Sequence, residues 1–173
     1  VQAFDAVTLE SLWLYEDPLG GQPNCPIYYH NGYIYTGFWQ GEKENANFVC
    51  LSVTDEDPTR GDEEKLPTWQ YRSLGGFYWA GAYVADNYVL IPTDDGDSGY
   101  TSGYASILSL NPRTGELISS IRLPHPGDAR SSVTYDNGRA YFTTKGGYFY
   151  SAAVSENGEL SDPRHIKLYN YAN

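Results

Sequence analysis

Apolar and polar residues alternate with a period of two along most of the chain, in short runs punctuated by turn residues. That pattern predicts strands. Three segments repeat one arrangement: an alternating strand, a two-residue turn and a second alternating strand. They occupy residues 25–36, 81–91 and 132–143, with turns at Asn31-Gly32, Asp86-Asn87 and Asn137-Gly138. Asn-Gly and Asp-Asn pairs tolerate the positive φ that tight hairpin turns demand, so each segment is predicted to be a β-hairpin. The turns fall 55 and 51 residues apart.

A second pair of strands, joined by a polar turn of variable length, follows each hairpin and also opens the chain. These pairs run through residues 2–15, 48–71, 105–121 and 148–169. If the hairpin strands are a and b and the second pair c and d, the chain reads c-d and then a-b-c-d three times. Such a repeat predicts an all-β fold, a β-propeller of four-stranded antiparallel blades. A β-sandwich would not need the same ordered pair of hairpins three times. The predicted units are an outer half-blade over residues 1–17 and blades over 23–73, 77–123 and 129–171. Three blades and a half cannot close a ring, which takes roughly four to eight. The expectation is an incomplete ring, with the remaining propeller blades supplied by a longer parent chain or an assembly. The first residues, already in strand-like alternation without an initiator methionine, read the same way.

Composition agrees with this reading. The 17 Tyr, 6 Phe and 4 Trp suit pleated, half-buried surfaces, and the 18 Gly and 10 Pro suit turns. Eleven basic against 22 acidic residues give a net charge of −11, which would repel a phosphate backbone. Nucleic acid is therefore not an expected partner. No run of apolar residues is long enough for a helical membrane span, so none is expected in this segment.

The stretch Ala3-Phe4-Asp5-Ala6-Val7-Thr8-Leu9-Glu10-Ser11-Leu12-Trp13-Leu14-Tyr15 resembles the signature repeat of PQQ-like (quinoprotein-like) propellers: a strand ending in Asp-Ala, a Thr-Gly turn and an aliphatic-Trp strand. Residues 108–118 resemble the same unit, with Thr114-Gly115 intact and no Trp. Residues 24–35 are similar to the hairpin that follows it in that family. The likeness spans nearly the whole chain and implies the fold, whereas activity does not follow from a propeller alone. Quinone-dependent members, as the resemblance implies, hold their cofactor with a Trp platform, adjacent cysteines and a calcium site of Glu, Asn and Asp. Here Cys25 and Cys50 are far apart, and Trp13 and Trp69 sit at the structural position of the repeat. PQQ is therefore not an expected cofactor.

Cys25 on strand a and Cys50 on strand c are predicted to lie about two strand spacings apart, about 9–10 Å. A disulfide needs Cα atoms within roughly 7 Å, so two buried free thiols are expected. His30, His125 and His165 fall in different elements, and no zinc spacing, nucleophile elbow or phosphate loop is present. No catalytic residue is assigned.

In a propeller the d-a and b-c loops share one face, and these loops carry the candidate binding chemistry. Trp39, Phe77, Tyr78 and Trp79 could form an aromatic platform for a sugar or peptide, with His125 and Arg130 beside it. Asp94, Asp95 and Asp97 could offer oxygen ligands to calcium, although the full calcium-loop spacing is missing. The opposite face carries an acidic insertion, residues 54–65, without an apolar anchor, which reads as a mobile solvated loop; its Arg60-Gly61-Asp62 is too common a tripeptide to imply adhesion. The sequence therefore reads as a non-catalytic binding or scaffold module of a larger secreted or cell-surface bacterial protein that engages a protein or glycan. The alternative is a fragment of a quinoprotein-like or carbohydrate-active enzyme whose active site lies in other blades.

Overall fold

The computed structural model describes residues 1–96, 99, 101–125 and 127–168. The strands are β1 (Gln2–Phe4), β2 (Ser11–Leu14), β3 (Tyr28–His30), β4 (Tyr33–Gly37), β5 (Asn45–Ser52), β6 (Glu63–Glu64) and β7 (Trp69–Leu74). They continue with β8 (Tyr83–Val84), β9 (Val89–Asp94), β10 (Ala105–Leu110) and β11 (Leu117–Arg122). Last come β12 (Thr134–Asp136), β13 (Arg139–Thr143), β14 (Tyr148–Val154) and β15 (Leu160–Lys167). Among the described residues there is no helix.

Three sheets have four antiparallel strands each, in the orders β3-β4-β5-β7, β8-β9-β10-β11 and β12-β13-β14-β15. Each is one blade in a-b-c-d order. The predicted outer half-blade is the antiparallel pair β1-β2, to which β6 adds as a third, parallel strand. The Asn-Gly turns take the left-handed backbone that the sequence predicts, with φ of 48° and 83° at Asn31 and Gly32 and 46° and 76° at Asn137 and Gly138. Asp86-Asn87 turns the chain at negative φ, because with no glycine the left-handed region costs more than another turn type.

The period-2 pattern has a direct physical readout: alternate residues of each blade point to the blade before and the blade after. In the first blade Tyr35 pairs with Cys50 and Gly37 with Phe48. Tyr35, Phe48 and Cys50 all bury toward the second blade, against Val89, Ile91 and Leu108. The matching register positions are Leu90–Ser109 and Pro92–Ile107 in the second blade, and Tyr141–Ser151 and Thr143–Phe149 in the third. Leu90 and Ile107 bury against Ala140, Phe142 and Tyr150 of the third blade. A further apolar layer, built on Trp13, Val49 and Leu51, joins the half-blade to the first blade.

Trp69 fastens the first blade to the second. Its Nε1 donates to the Pro112 carbonyl at 2.9 Å. A Cβ on Gly115, at φ 72°, would approach Trp69 Cε3 to 2.6 Å, so the turn's glycine is required both by backbone and by contact. Both cysteines are buried and free. Burial pushes the Cys25 thiol up to about 12 and the Cys50 thiol up to about 11.

The acidic insertion is not a free loop. Its β6 pairs with Trp13 and Leu14 of β2, and Lys65 N donates to the Leu14 carbonyl at 2.8 Å. The Lys65 side chain is buried. Its ammonium donates to the Thr54 carbonyl and the Glu56 carboxylate and lies 5.3 Å from the centroid of the Trp13 ring. The anchor is a buried lysine whose ammonium lies over tryptophan and is satisfied by the loop itself.

Candidate functional site

Connections from all three blades meet on the face that collects the d-a and b-c loops. Glu42 comes from the β4–β5 connection, Asp94 from the end of β9, and Asp128 and Arg130 from the segment entering the third blade. Arg130 Nη2 donates to both carboxylate oxygens of Glu42 at 2.8 and 2.9 Å, to Asp94 Oδ2 at 2.9 Å and to Asp128 Oδ2 at 2.6 Å. The side chains of Arg130, Asp94 and Asp128 are 6%, 1% and 1% exposed, so the inner part of this hub is buried.

One guanidinium cannot neutralise three carboxylates. Burial, reinforced by the neighbouring Asp128 charge, raises the Asp94 carboxyl to about 8 despite Arg130. Burial, opposed by Arg130 and reinforced by Glu42, raises Asp128 to about 7. Arg130 itself is held above its ordinary value by the three carboxylates, against the effect of burial. The carboxylates of Glu42, Asp94 and Asp128 offer oxygens within 4.8 Å of one another, a spacing suited to a cation. Arg130 supplies positive charge at that point.

An aromatic ladder starts from the hub. The Arg130 guanidinium lies 4.7 Å from the Tyr78 ring centroid. Tyr78 packs against Trp39, centroids 4.6 Å apart, and stacks on Trp79, centroids 4.3 Å apart at 21°. Trp79 is 49% exposed, and its backbone is left-handed at φ 56°. A bulky residue at positive φ is strained, and such strain persists only where neighbours over-determine it. Here Gly75 and Gly76, at φ 76° and 64°, bring the chain tightly past Asp94 and Ala46 just before the aromatic residues. Lys145, from the short β13–β14 turn, places its ammonium 5.3 Å from the Trp79 ring centroid.

Four residues singled out by sequence thus come together: Trp39, Tyr78, Trp79 and Arg130. Phe77 does not join them. It is fully buried, 5.4 Å from the Phe48 ring, because its N–H pairs with the Phe38 carbonyl and the connection turns its ring into the layer between the first two blades. His125 is engaged elsewhere: its ring stacks on Tyr148 at 4.6 Å and its Nε2 lies 2.7 Å from His165 Nε2. Asp94 and Asp95 face different partners. Asp94 turns to Arg130, while Asp95 accepts from the Tyr104 N–H at 2.8 Å and faces Arg122 Nη2 at 3.8 Å. Asp97 lies outside the described residues. Glu42, Asp128 and Lys145 were not legible as site residues. The Asp-x-Arg spacing of Asp128 and Arg130 is the one local hint, and Glu42 reaches the hub only through the fold.

Taken together, three consecutive a-b-c-d sheets, joined through alternating apolar layers, define an all-β propeller with blades short of a ring. No family model matches the chain, and a search of curated proteins returns no match. Among solved structures, the crystal structure of BamB from Moraxella catarrhalis is similar at a TM-score of 0.61 and 17% sequence identity. The match covers 94% of this chain and 45% of that one, so this chain spans less than half of BamB's length. The likeness is one of fold. No helix among the described residues is long and apolar enough to cross a membrane.

Proposed function

We propose that this chain is a non-catalytic propeller module of a larger secreted or cell-surface protein, binding a protein or glycan through the face built from its d-a and b-c loops. The observation that carries the reading is Trp79: a half-exposed tryptophan on strained backbone, stacked on Tyr78 and backed by Trp39. Large aromatic rings beside an arginine are the residue types that concentrate binding energy at interfaces. The buried hub beneath them holds loops of three blades in fixed relation, which preorganises the surface. The seating of Gly115 on Trp69 supports assigning the repeat to the PQQ-like type. The reading assigns no cofactor.

A thermal-shift screen with soluble glycans, peptides and Ca²⁺ tests it. At least one glycan or peptide raises the melting temperature of the native chain and not of Trp79→Gly, a variant whose backbone accepts the same φ. A screen in which only Ca²⁺ acts, or in which Trp79→Gly responds like the native chain, overturns the reading.

A further inference from the structure

We infer that the exposed end of the aromatic ladder receives a cationic side chain, lysine or arginine, from a basic segment of a partner protein. The inference rests on the reading that this face binds, and it names the partner's chemistry. The ladder already holds two cations. The Arg130 guanidinium lies on Tyr78, and the Lys145 ammonium lies on Trp79.

The two contacts differ in kind. Arg130 is locked by three carboxylates, whereas Lys145 is exposed and has no carboxylate partner among the described residues. In a chain with twice as many acidic as basic residues, a lysine resting on an indole ring instead of a carboxylate marks where the ring quadrupole attracts positive charge. Lys145 is thus an internal stand-in for the incoming group, on a flexible tether that can leave. Tyr78 is flanked by Trp39, Trp79 and Arg130, so Trp79 is the ring of the ladder with surface left to offer.

The surroundings favour the same occupant. Beside the ladder stands Glu42, whose side chain is 26% exposed, and the β4–β5 connection that carries it also carries the exposed Glu44. The net charge of −11 steers basic segments toward the chain and acidic ones away. A neutral sugar would gain nothing from the net charge.

The test is calorimetric titration of the 173-residue chain with three probes: an acetylated, amidated peptide alternating Gly and Arg, its Gly–Glu counterpart, and cellohexaose. The Gly–Arg peptide binds saturably, and Trp79→Gly weakens it at least tenfold. Lys145→Ala tightens it, because the competing ammonium is gone, and does so more than Lys43→Ala, which removes the same charge from the same face. Binding of the Gly–Arg peptide that ignores Trp79→Gly is adventitious attraction to an acidic surface and overturns the inference. Binding of cellohexaose or the Gly–Glu peptide that depends on Trp79, without binding of the Gly–Arg peptide, overturns it and leaves the face reading standing. No Trp79-dependent binding of any probe overturns the inference, and the thermal-shift screen separately decides the face reading.

Discussion

Arg130 donates from Nη2 to Asp94 Oδ2 at 2.9 Å, tying the entry of the third blade to the b strand of the second. Because both side chains are almost fully buried, the pair is more consequential for its failure than for its strength. Arg130→Met leaves Asp94 and Asp128 buried without their counter-charge. Removing one partner of such a group costs about 3–5 kcal/mol. Urea unfolding at pH 8 shows that loss. At pH 5 the loss is smaller, because the carboxyls left behind can take up protons.

The same hub gives the fold a pH dependence of defined sign. Asp94 at about 8 and Asp128 at about 7 are raised above the ordinary carboxyl value in the folded chain. Between their unfolded and folded values the folded state binds more protons than the unfolded state. Stability is therefore greatest below the unfolded pKa and falls as pH rises through the folded values. One retained proton corresponds to a slope of about 1.4 kcal/mol per pH unit. Asp94→Asn keeps the shape and removes that charge, so its unfolding free energy varies less between pH 5 and pH 8. At pH 8 the variant is at least as stable as the native chain. A native-like slope in Asp94→Asn would show that the titrating group lies elsewhere.

Lys65 makes the acidic insertion part of the half-blade. Lys65→Ala removes the ammonium from Thr54, Glu56 and the Trp13 ring, while leaving the blades intact. Local opening, not global unfolding, is the expected consequence. Limited trypsin cleavage after Arg60, exposed within the insertion, speeds up about tenfold, equivalent to about 1.4 kcal/mol of local stability. The urea midpoint of the rest of the chain moves little. Unchanged cleavage would mean that the β2–β6 pairing alone holds the insertion.

These sites show what a period-2 reading can and cannot see. Hairpin turns and blade order follow from local pattern, so they were legible; both thiols are free as expected, although Cys25 lies before β3 and not on it. The aromatic ladder was partly legible, because Trp39, Tyr78 and Trp79 stand out in connections. Adjacent Phe77 was misplaced with them, since a run of three aromatic residues in a connection does not say which one the chain turns inward. The hub was hidden for a different reason. Glu42, Asp94 and Arg130 are separated by dozens of residues, and what joins them is the convergence of three blades. The insertion was misjudged because an anchor was sought among apolar residues, and the buried Lys65 does that work with its ammonium.

The repeat register makes one further comparison sharp. Phe48, Ile107 and Phe149 occupy the same position in successive blades, paired with Gly37, Pro92 and Thr143. Phe48 is 1% exposed and packs on Phe77 and Trp69 with centroids 5.4 and 6.2 Å apart; Ile107 is 0% exposed. Phe149 is half-buried, its ring stacked on Tyr141 at 6.0 Å, with no following blade among the described residues. Truncating a buried phenylalanine to alanine costs about 3–5 kcal/mol, and a buried isoleucine about 2–5 kcal/mol, through lost transfer energy and the cavity left behind. The half-exposed ring of Phe149 forfeits mainly its contact with Tyr141, about 0.5–1.5 kcal/mol. Urea unfolding of the three alanine variants therefore ranks Phe48→Ala and Ile107→Ala well above Phe149→Ala. An equal loss at Phe149 would show that its outward face is already covered in solution, which gel filtration with light scattering would reveal as an associated species.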